Sequence, residues 1–308
     1  MRFLRKHTVL FSKLSKERKL MGINEILLTV AALFPAVALM IYVFVKDRVE
    51  KEPLGLLAKL FLFGILACVP VVLVGTILEL IADTVFSVVV SIISLNGIIR
   101  SFYNFVNAFI CVALVEEGTK WLFLFLGTKN NREFDSLFDG IVYAVFVSLG
   151  FATLENLLYV FNEDGGWSVA IMRAVLSVPG HAFFGVLMGY YYSFWHVTDK
   201  AAMIEKVLKK KGVIEENIPE LSSKKYAFLS LILPVLAHGF FDFCLFEGNI
   251  LLVIVYLAFV AFLYVLCIGK IRKMSKADSN VVNYGILTVL KKYPGKTADI
   301  KCALFPEE

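Results

Sequence analysis

Seven ionisable residues stand where the chain is otherwise apolar: Glu116, Glu117, Lys120, Glu155, His181, His238 and Asp242. On a helix turning about 100° per residue, Lys120 lies about 40° round from Glu116 and about 60° from Glu117, so one ammonium reaches both carboxylates. His238 and Asp242 are four apart and share a face, which lets the carboxylate fix the proton on one imidazole nitrogen. Glu155 lies one turn past Phe151, and His181 one turn before Gly185. This inventory suits a general base, an oxyanion donor and an orienting group. It equally suits a zinc site of His181, His238 and Glu155, with the Glu116 and Glu117 pair as base.

The elements that must position these groups are membrane helices. The chain of 308 residues is 59% hydrophobic and only 19% charged, where soluble domains carry about 45–50% apolar and about 25% charged residues. The apolar residues gather in stretches near the roughly 20 residues that cross about 30 Å of hydrocarbon. The pattern predicts an all-α bundle of seven to eight transmembrane helices, with spans at 23–44, 54–81, 105–126, 137–161, 169–195, 226–246 and 250–268. A further apolar stretch at 84–99 reads as an eighth crossing, a re-entrant piece or an interfacial helix. An ionisable side chain at the bilayer centre costs about 2.5–3.5 kcal/mol on insertion scales, so seven of them require an explanation.

Lys and Arg collect on the cytoplasmic side of membrane proteins. The 197–225 connection carries Lys200, Lys206, Lys209, Lys210, Lys211, Lys224 and Lys225, and the tail adds Lys270, Arg272, Lys273 and Lys276. Both are therefore expected inside. The 162–168 connection has Glu163 and Asp164 without a basic residue, and the turn at Glu247 and Gly248 has none; both are expected outside. The amino terminus conflicts with this parity, because Arg2, Arg5, Lys6, Lys13, Lys16, Arg18 and Lys19 call for the inside while seven crossings place it outside. The division expected is a basic segment at 1–22, a transmembrane domain at 23–270 and a cytoplasmic tail at 271–308. With alternating helices, the site residues fall about 5–18 Å from one outer face, contributed by four central helices.

Bundle glue is the simplest alternative, since ion pairs and small faces such as Gly185 and Gly189 hold membrane helices together. Glue does not need acids and imidazoles converging at one depth. An ion or small-solute transporter also uses midplane carboxylates and histidines, but two related halves with paired broken helices are not evident. Cys68, Cys111, Cys244 and Cys267 fall in predicted spans and Cys302 in the tail, without CxxC spacing, and read as packing residues. No GxSxG serine or GxGD aspartate is seen, and no nucleotide-binding loop or other pointer to nucleic acid.

VEEGTKW at 115–121, FDGIVYAVFVSLGFATLENLLY at 138–159, HAFFGVLMGYY at 181–191 and HGFFDF at 238–243 resemble the PrsW family of intramembrane proteases, within the superfamily of the CAAX prenyl endopeptidases. KDRVEKEPLGLL at 46–57 is similar to that family's charged connection after the first helix. The resemblance implies that Glu116, Glu117 and Lys120 form EExxK, Phe151 and Glu155 FxxxE, His181 the third element, and His238 and Asp242 HxxxD. It implies peptide-bond hydrolysis in a multi-pass cell-membrane protein, on a membrane-embedded protein substrate such as an anti-sigma factor. A metal-free glutamate mechanism and a Zn2+ mechanism both remain open. The basic prefix and long tail depart from the pattern.

Overall fold

The computed structural model describes residues 22–48, 51–92, 96–162, 164–215 and 221–305, and among them every regular element is a helix. α1 is Ile23–Lys46 and α2 Leu54–Ile92. α3 is built of Asn96–Val106, a π-helical stretch Asn107–Leu114 and Val115–Thr128. α4 is Asp139–Val160. α5 joins Trp167–Met172, a π-helical stretch Arg173–Ser177 and Val178–Lys210. α6 is Lys224–Glu247, α7 Ile250–Lys276, α8 Val281–Lys292 and α9 Thr297–Leu304. Among the described residues seven helices, α1 to α7, are long and apolar enough to cross a membrane. Leu73, Ile77, Val265 and many other large apolar side chains are exposed along them, as lipid-facing residues must be.

Local chemistry sets the helix ends. The Gly22 N–H donates to Glu25 Oε2 at 3.1 Å, satisfying a donor that the first turn of α1 leaves open. α6 stops at Gly248, whose φ of 65° suits a residue without Cβ, and Asn249 Oδ1 then accepts from the Leu252 N–H at 2.9 Å to start α7. That turn is short enough to make α6 and α7 antiparallel neighbours.

The 84–99 stretch is not an eighth crossing. α2 runs unbroken for 39 residues, about 58 Å at 1.5 Å per residue, so residues 84–92 are its last turns and 96–99 open α3. Asp83, which looks like a break in the sequence, is covered by the Tyr103 hydroxyl that donates to it. The Phe86 ring packs on Phe102 and Tyr103 at 5.7 and 5.1 Å. The basic prefix 1–21 and Glu163 lie outside the described residues.

α4 is the axis of the bundle, buried along most of its length. Backbones approach it closely on two sides: a Cβ on Gly64 of α2 would stand 2.0 Å from Val147 O, and one on Gly189 of α5 2.2 Å from Gly140 O. Gly185, one turn from Gly189, meets Ser148 in the same way, so the small face read from sequence is the α4–α5 contact. On one face of the bundle the ends of α1 and α7 meet, where the Ser275 hydroxyl donates to Lys46 O. On the opposite face, Trp167 Nε1 donates to Asn24 Oδ1 at 2.9 Å, joining the start of α5 to the start of α1.

α5 continues well past any bilayer. Its end packs with α8 and α9 in a second small core of Ala201, Leu208, Ile214, Val289, Tyr293 and Ile300. Glu205 is fully buried there and accepts from Lys292 Nζ and the Tyr293 hydroxyl, each at 2.5 Å, and from the Leu221 N–H at 2.8 Å.

Candidate active site

All seven residues singled out above converge, from α3, α4, α5 and α6. Lys120 Nζ is the hub, 2.8 Å from Glu117 Oε1, 3.2 Å from Glu116 Oε2 and 3.1 Å from His181 Nδ1. Its ammonium also sits 3.9 Å above the Phe151 ring, a cation–π contact in a fully buried setting. The helix-surface arithmetic of EExxK therefore describes a real geometry, and the phenylalanine of FxxxE is the lid over its cation.

Each imidazole is held between two partners. His181 turns Nε2 to Glu155 Oε2 at 2.8 Å, leaving Nδ1 to face Lys120. His238 places Nε2 3.3 Å from Asp242 Oδ2 and Nδ1 2.9 Å from Glu117 Oε1. The two rings lie 5.3 Å apart at nearly a right angle, and Phe184 stacks on His238 at 4.7 Å. With a carboxylate on both nitrogens, His238 is satisfied either as an imidazolium or with a cation between Nδ1 and Glu117.

Charge bears on a metal in the same way. Glu116, Glu117, Glu155 and Asp242 face two fixed cations, Lys120 and Arg173. The imidazoles or a divalent ion must balance the remaining negative charge, because an unbalanced buried charge is costly. Glu117 Oε2 is buried without a hydrogen-bond partner. Glu116, Glu117, His181 and His238 each offer a donor atom, all within 4.8 Å of one another. Nitrogen and carboxylate donors in this number fit zinc. Of the triad expected from sequence, Glu155 lies on the Nε2 side of His181, while Glu116 and Glu117 lie between the two imidazoles.

Sequence reasoning missed Arg173. It lies inside the predicted 169–195 span, eight residues before His181, and a charged residue at that depth was the available signal. Its Nη2 is 2.6 Å from Glu155 Oε2, and its Nε donates to Asn156 Oδ1 at 2.9 Å. Neither π-helical stretch was foreseen either. One leads into Glu116 and the other into His181, and such wide turns recur at functional sites.

A cavity of about 1110 Å³ reaches the cluster. It runs from Glu116, His181 and His238 past Asp242 and Arg173 to Asn162 and Phe246, near the ends of α4 and α6. Glu116 lines it while Glu117, sealed behind Lys120, does not.

Residues 52–267 match the family model described as PrsW family intramembrane metalloprotease. The chain belongs to the PrsW family. It is similar to Protease PrsW of Clostridioides difficile, 34% identical over 266 residues that cover 85% of this chain and 96% of the relative. Protease PrsW of Geobacillus kaustophilus is 34% identical over 215 residues, 70% of this chain and 78% of the relative. That of Bacillus subtilis is 31% identical over 215 residues, 70% and 81% respectively. No solved structure matches the chain. As a PrsW-family member the protein is a multi-pass intramembrane protease, which replaces the transporter alternative. The matched segment contains all seven residues and ends at Cys267, leaving the prefix and α8 and α9 outside it.

Proposed function

We propose that the protein hydrolyses a peptide bond of a single-pass membrane protein at the α3–α6 cluster, near the outer face of the membrane. The observation that carries this reading is the convergence of two carboxylates and two imidazoles from three helices, with Glu155 of a fourth behind His181, where Glu116 and both imidazoles line the inner end of one cavity. Glu116, on the cavity wall, takes the proton from the attacking water as its oxygen bonds to the scissile carbonyl carbon. His181 and His238 supply hydrogen bonds to the oxyanion from Nδ1, each in its imidazolium form and released from Lys120 and Glu117 as the substrate enters. As the C–N bond breaks, the proton held by Glu116 passes to the leaving amine. Lys120 holds both glutamates ionised and in place, and Glu155 and Asp242 fix the imidazole tautomers. His181, His238 and Glu117 are the residues that would hold a zinc ion, which supplies Lewis acidity and a more acidic water when bound.

The basic 197–225 connection and the residues after α7 support a cytoplasmic placement, with the tail from 271 as a cytoplasmic extension. The turn after α4, and with it the cavity mouth, then faces outward. An anti-sigma factor cut on its outer side in a stress response fits that geometry. A proteolysis assay in liposomes, run on a library of single-pass substrates with and without a strong zinc chelator, tests the whole reading. Cleavage that the wild type performs and Glu116→Gln lacks supports it; equal cleavage by both overturns it. Reporters fused after Glu163 and after Lys210 should read outside and inside respectively, and the reverse at both would invert the site.

A further inference from the structure

We propose that Arg173 is a positioning residue for the peptidase reaction, acting on His181 through Glu155; this rests on the reading of His181 as a working group of the site. The chain of contacts is continuous. Arg173 Nη2 meets Glu155 Oε2 at 2.6 Å, and the same oxygen meets His181 Nε2 at 2.8 Å. One carboxylate oxygen is thus shared between a fixed cation and the imidazole.

The guanidinium is itself held by two further side chains of α4, one of them anchored in turn on α1. Its Nε donates to Asn156 Oδ1 at 2.9 Å, its plane lies 4.1 Å over the Tyr159 ring, and Asn156 Nδ2 is anchored on Ala32 O of α1 at 2.7 Å. Nη2 and Nε are adjacent arms of one rigid fork, so the spacing between Glu155 and Asn156 is set by guanidinium geometry. Lysine offers a point charge and cannot hold both. Arg173 opens the π-helical stretch that ends at Ser177, and His181 follows one turn later, so the residue clamped to α4 is also the one that sets the register of the imidazole.

A tie that only joined α4 to α5 would need none of this. Gly140, Gly185 and Gly189 already bring those helices into backbone contact. The salt bridge instead lies on the cavity wall, with 14% of the Arg173 and 19% of the Glu155 side chain exposed. There it orients the one carboxylate that fixes the His181 tautomer. Without it, Glu155 is free to rotate toward the cavity.

The test uses the full-length protein in liposomes and a single-pass helical peptide that the wild type cleaves. Arg173→Gln is expected to lower kcat about 10–100-fold, as loss of an outer partner of a working histidine does, with KM unchanged within about twofold. Arg173→Lys recovers part of the loss because it keeps the charge. In a Glu155→Gln background, Arg173→Gln adds less than about twofold, since both act on one path. A raised KM with wild-type kcat, or losses that multiply across the two positions, would overturn the proposal. If Arg173→Gln does not accumulate as folded protein, Arg173→Lys decides: reduced kcat at a wild-type melting temperature supports it, and wild-type kcat refutes it. His181→Ala separates the two layers, because wild-type turnover in that variant sinks the site reading. An inactive His181→Ala beside a fully active Arg173→Gln sinks the Arg173 proposal alone.

Discussion

Two groups of buried carboxylates lie at different depths in this bundle, and they are neutralised in different ways. In the site, every acid meets a cation or an imidazole: Glu116 and Glu117 meet Lys120, Glu155 meets Arg173 and His181, and Asp242 meets His238. After α1, Glu52 and Asp139 are buried together; Tyr143 donates to Glu52 Oε2 at 2.6 Å, and Asp139 Oδ2 accepts from the Asp135 and Ser136 N–H. Among the described residues no lysine or arginine pairs with either acid. Two buried carboxyls without a cation repel each other, and a proton on one relieves the repulsion. The first arrangement sets each acid against a cation or an imidazole, which favours its ionised form inside a membrane. The second needs only a stable joint between the α1–α2 connection and the start of α4.

The largest expected effect tests whether the site carboxylates act as bases. Glu116→Gln keeps shape and hydrogen bonding but cannot take a proton, and should lower kcat about 10²–10⁴-fold without changing the melting temperature. Glu117→Gln should also lose activity, but with reduced stability because it removes the closest anion of Lys120. Wild-type turnover in both would end the assignment of that pair, and loss in Glu117→Gln alone would move the base to the sealed residue.

Next in size is Lys120→Met. It leaves Glu116 and Glu117 as uncompensated buried charges and should cost about 3–5 kcal/mol of stability besides activity. Thermal unfolding in detergent reads the difference. A fully stable variant would mean that the imidazoles or a bound ion carry the neutralisation.

Asp242 probes the histidine pair more gently. His238→Ala and Asp242→Ala should each remove most activity, with the double variant little worse than the more damaged single one. Asp242→Ala should weaken any bound zinc about 10–100-fold, whereas His238→Ala should abolish it. Full additivity would place Asp242 outside the unit.

The sequence carried the helices and the site unequally. Hydropathy alone locates all seven spans, because the bilayer thickness fixes the length of each run. The reach of Lys120 to both glutamates follows from helix geometry, since all three share one helix. What one helix cannot tell is which atom of a neighbour faces it. That is why the sequence did not show that Glu155 meets Nε2 of His181 while Lys120 meets Nδ1. α2 was cut short at Asp83 because its cover, Tyr103, comes from another helix twenty residues on. The Glu52–Asp139 joint was invisible for the same reason, linking a loop residue to a helix start 87 positions later.

The smallest effect tests the protonated half of the comparison. Burial pushes the Glu52 carboxyl up from 4.5 to about 7, with Asp47 and Asp135 adding repulsion and Tyr143 opposing it. Lys51, the nearby cation in the sequence, donates to the backbone carbonyls of Phe44 and Asp47. A raised carboxyl binds its proton more tightly in the folded state, so its contribution is full below about pH 4.5 and is lost as pH rises through about 7. Glu52→Gln is neutral at every pH and so removes the repulsion between an ionised Glu52 and its acidic neighbours Asp47 and Asp135. The variant should match the wild type near pH 5 and unfold a few degrees higher at pH 8, a difference of order 1–3 kcal/mol. Proteolytic turnover at pH 6 should be unchanged, because the joint lies on the face where α1 and α7 end and the cavity opens on the other. A melting temperature for Glu52→Gln that tracks the wild type across the whole range would show that the pair holds no proton near neutrality, and that a cation neutralises these acids as it does in the site.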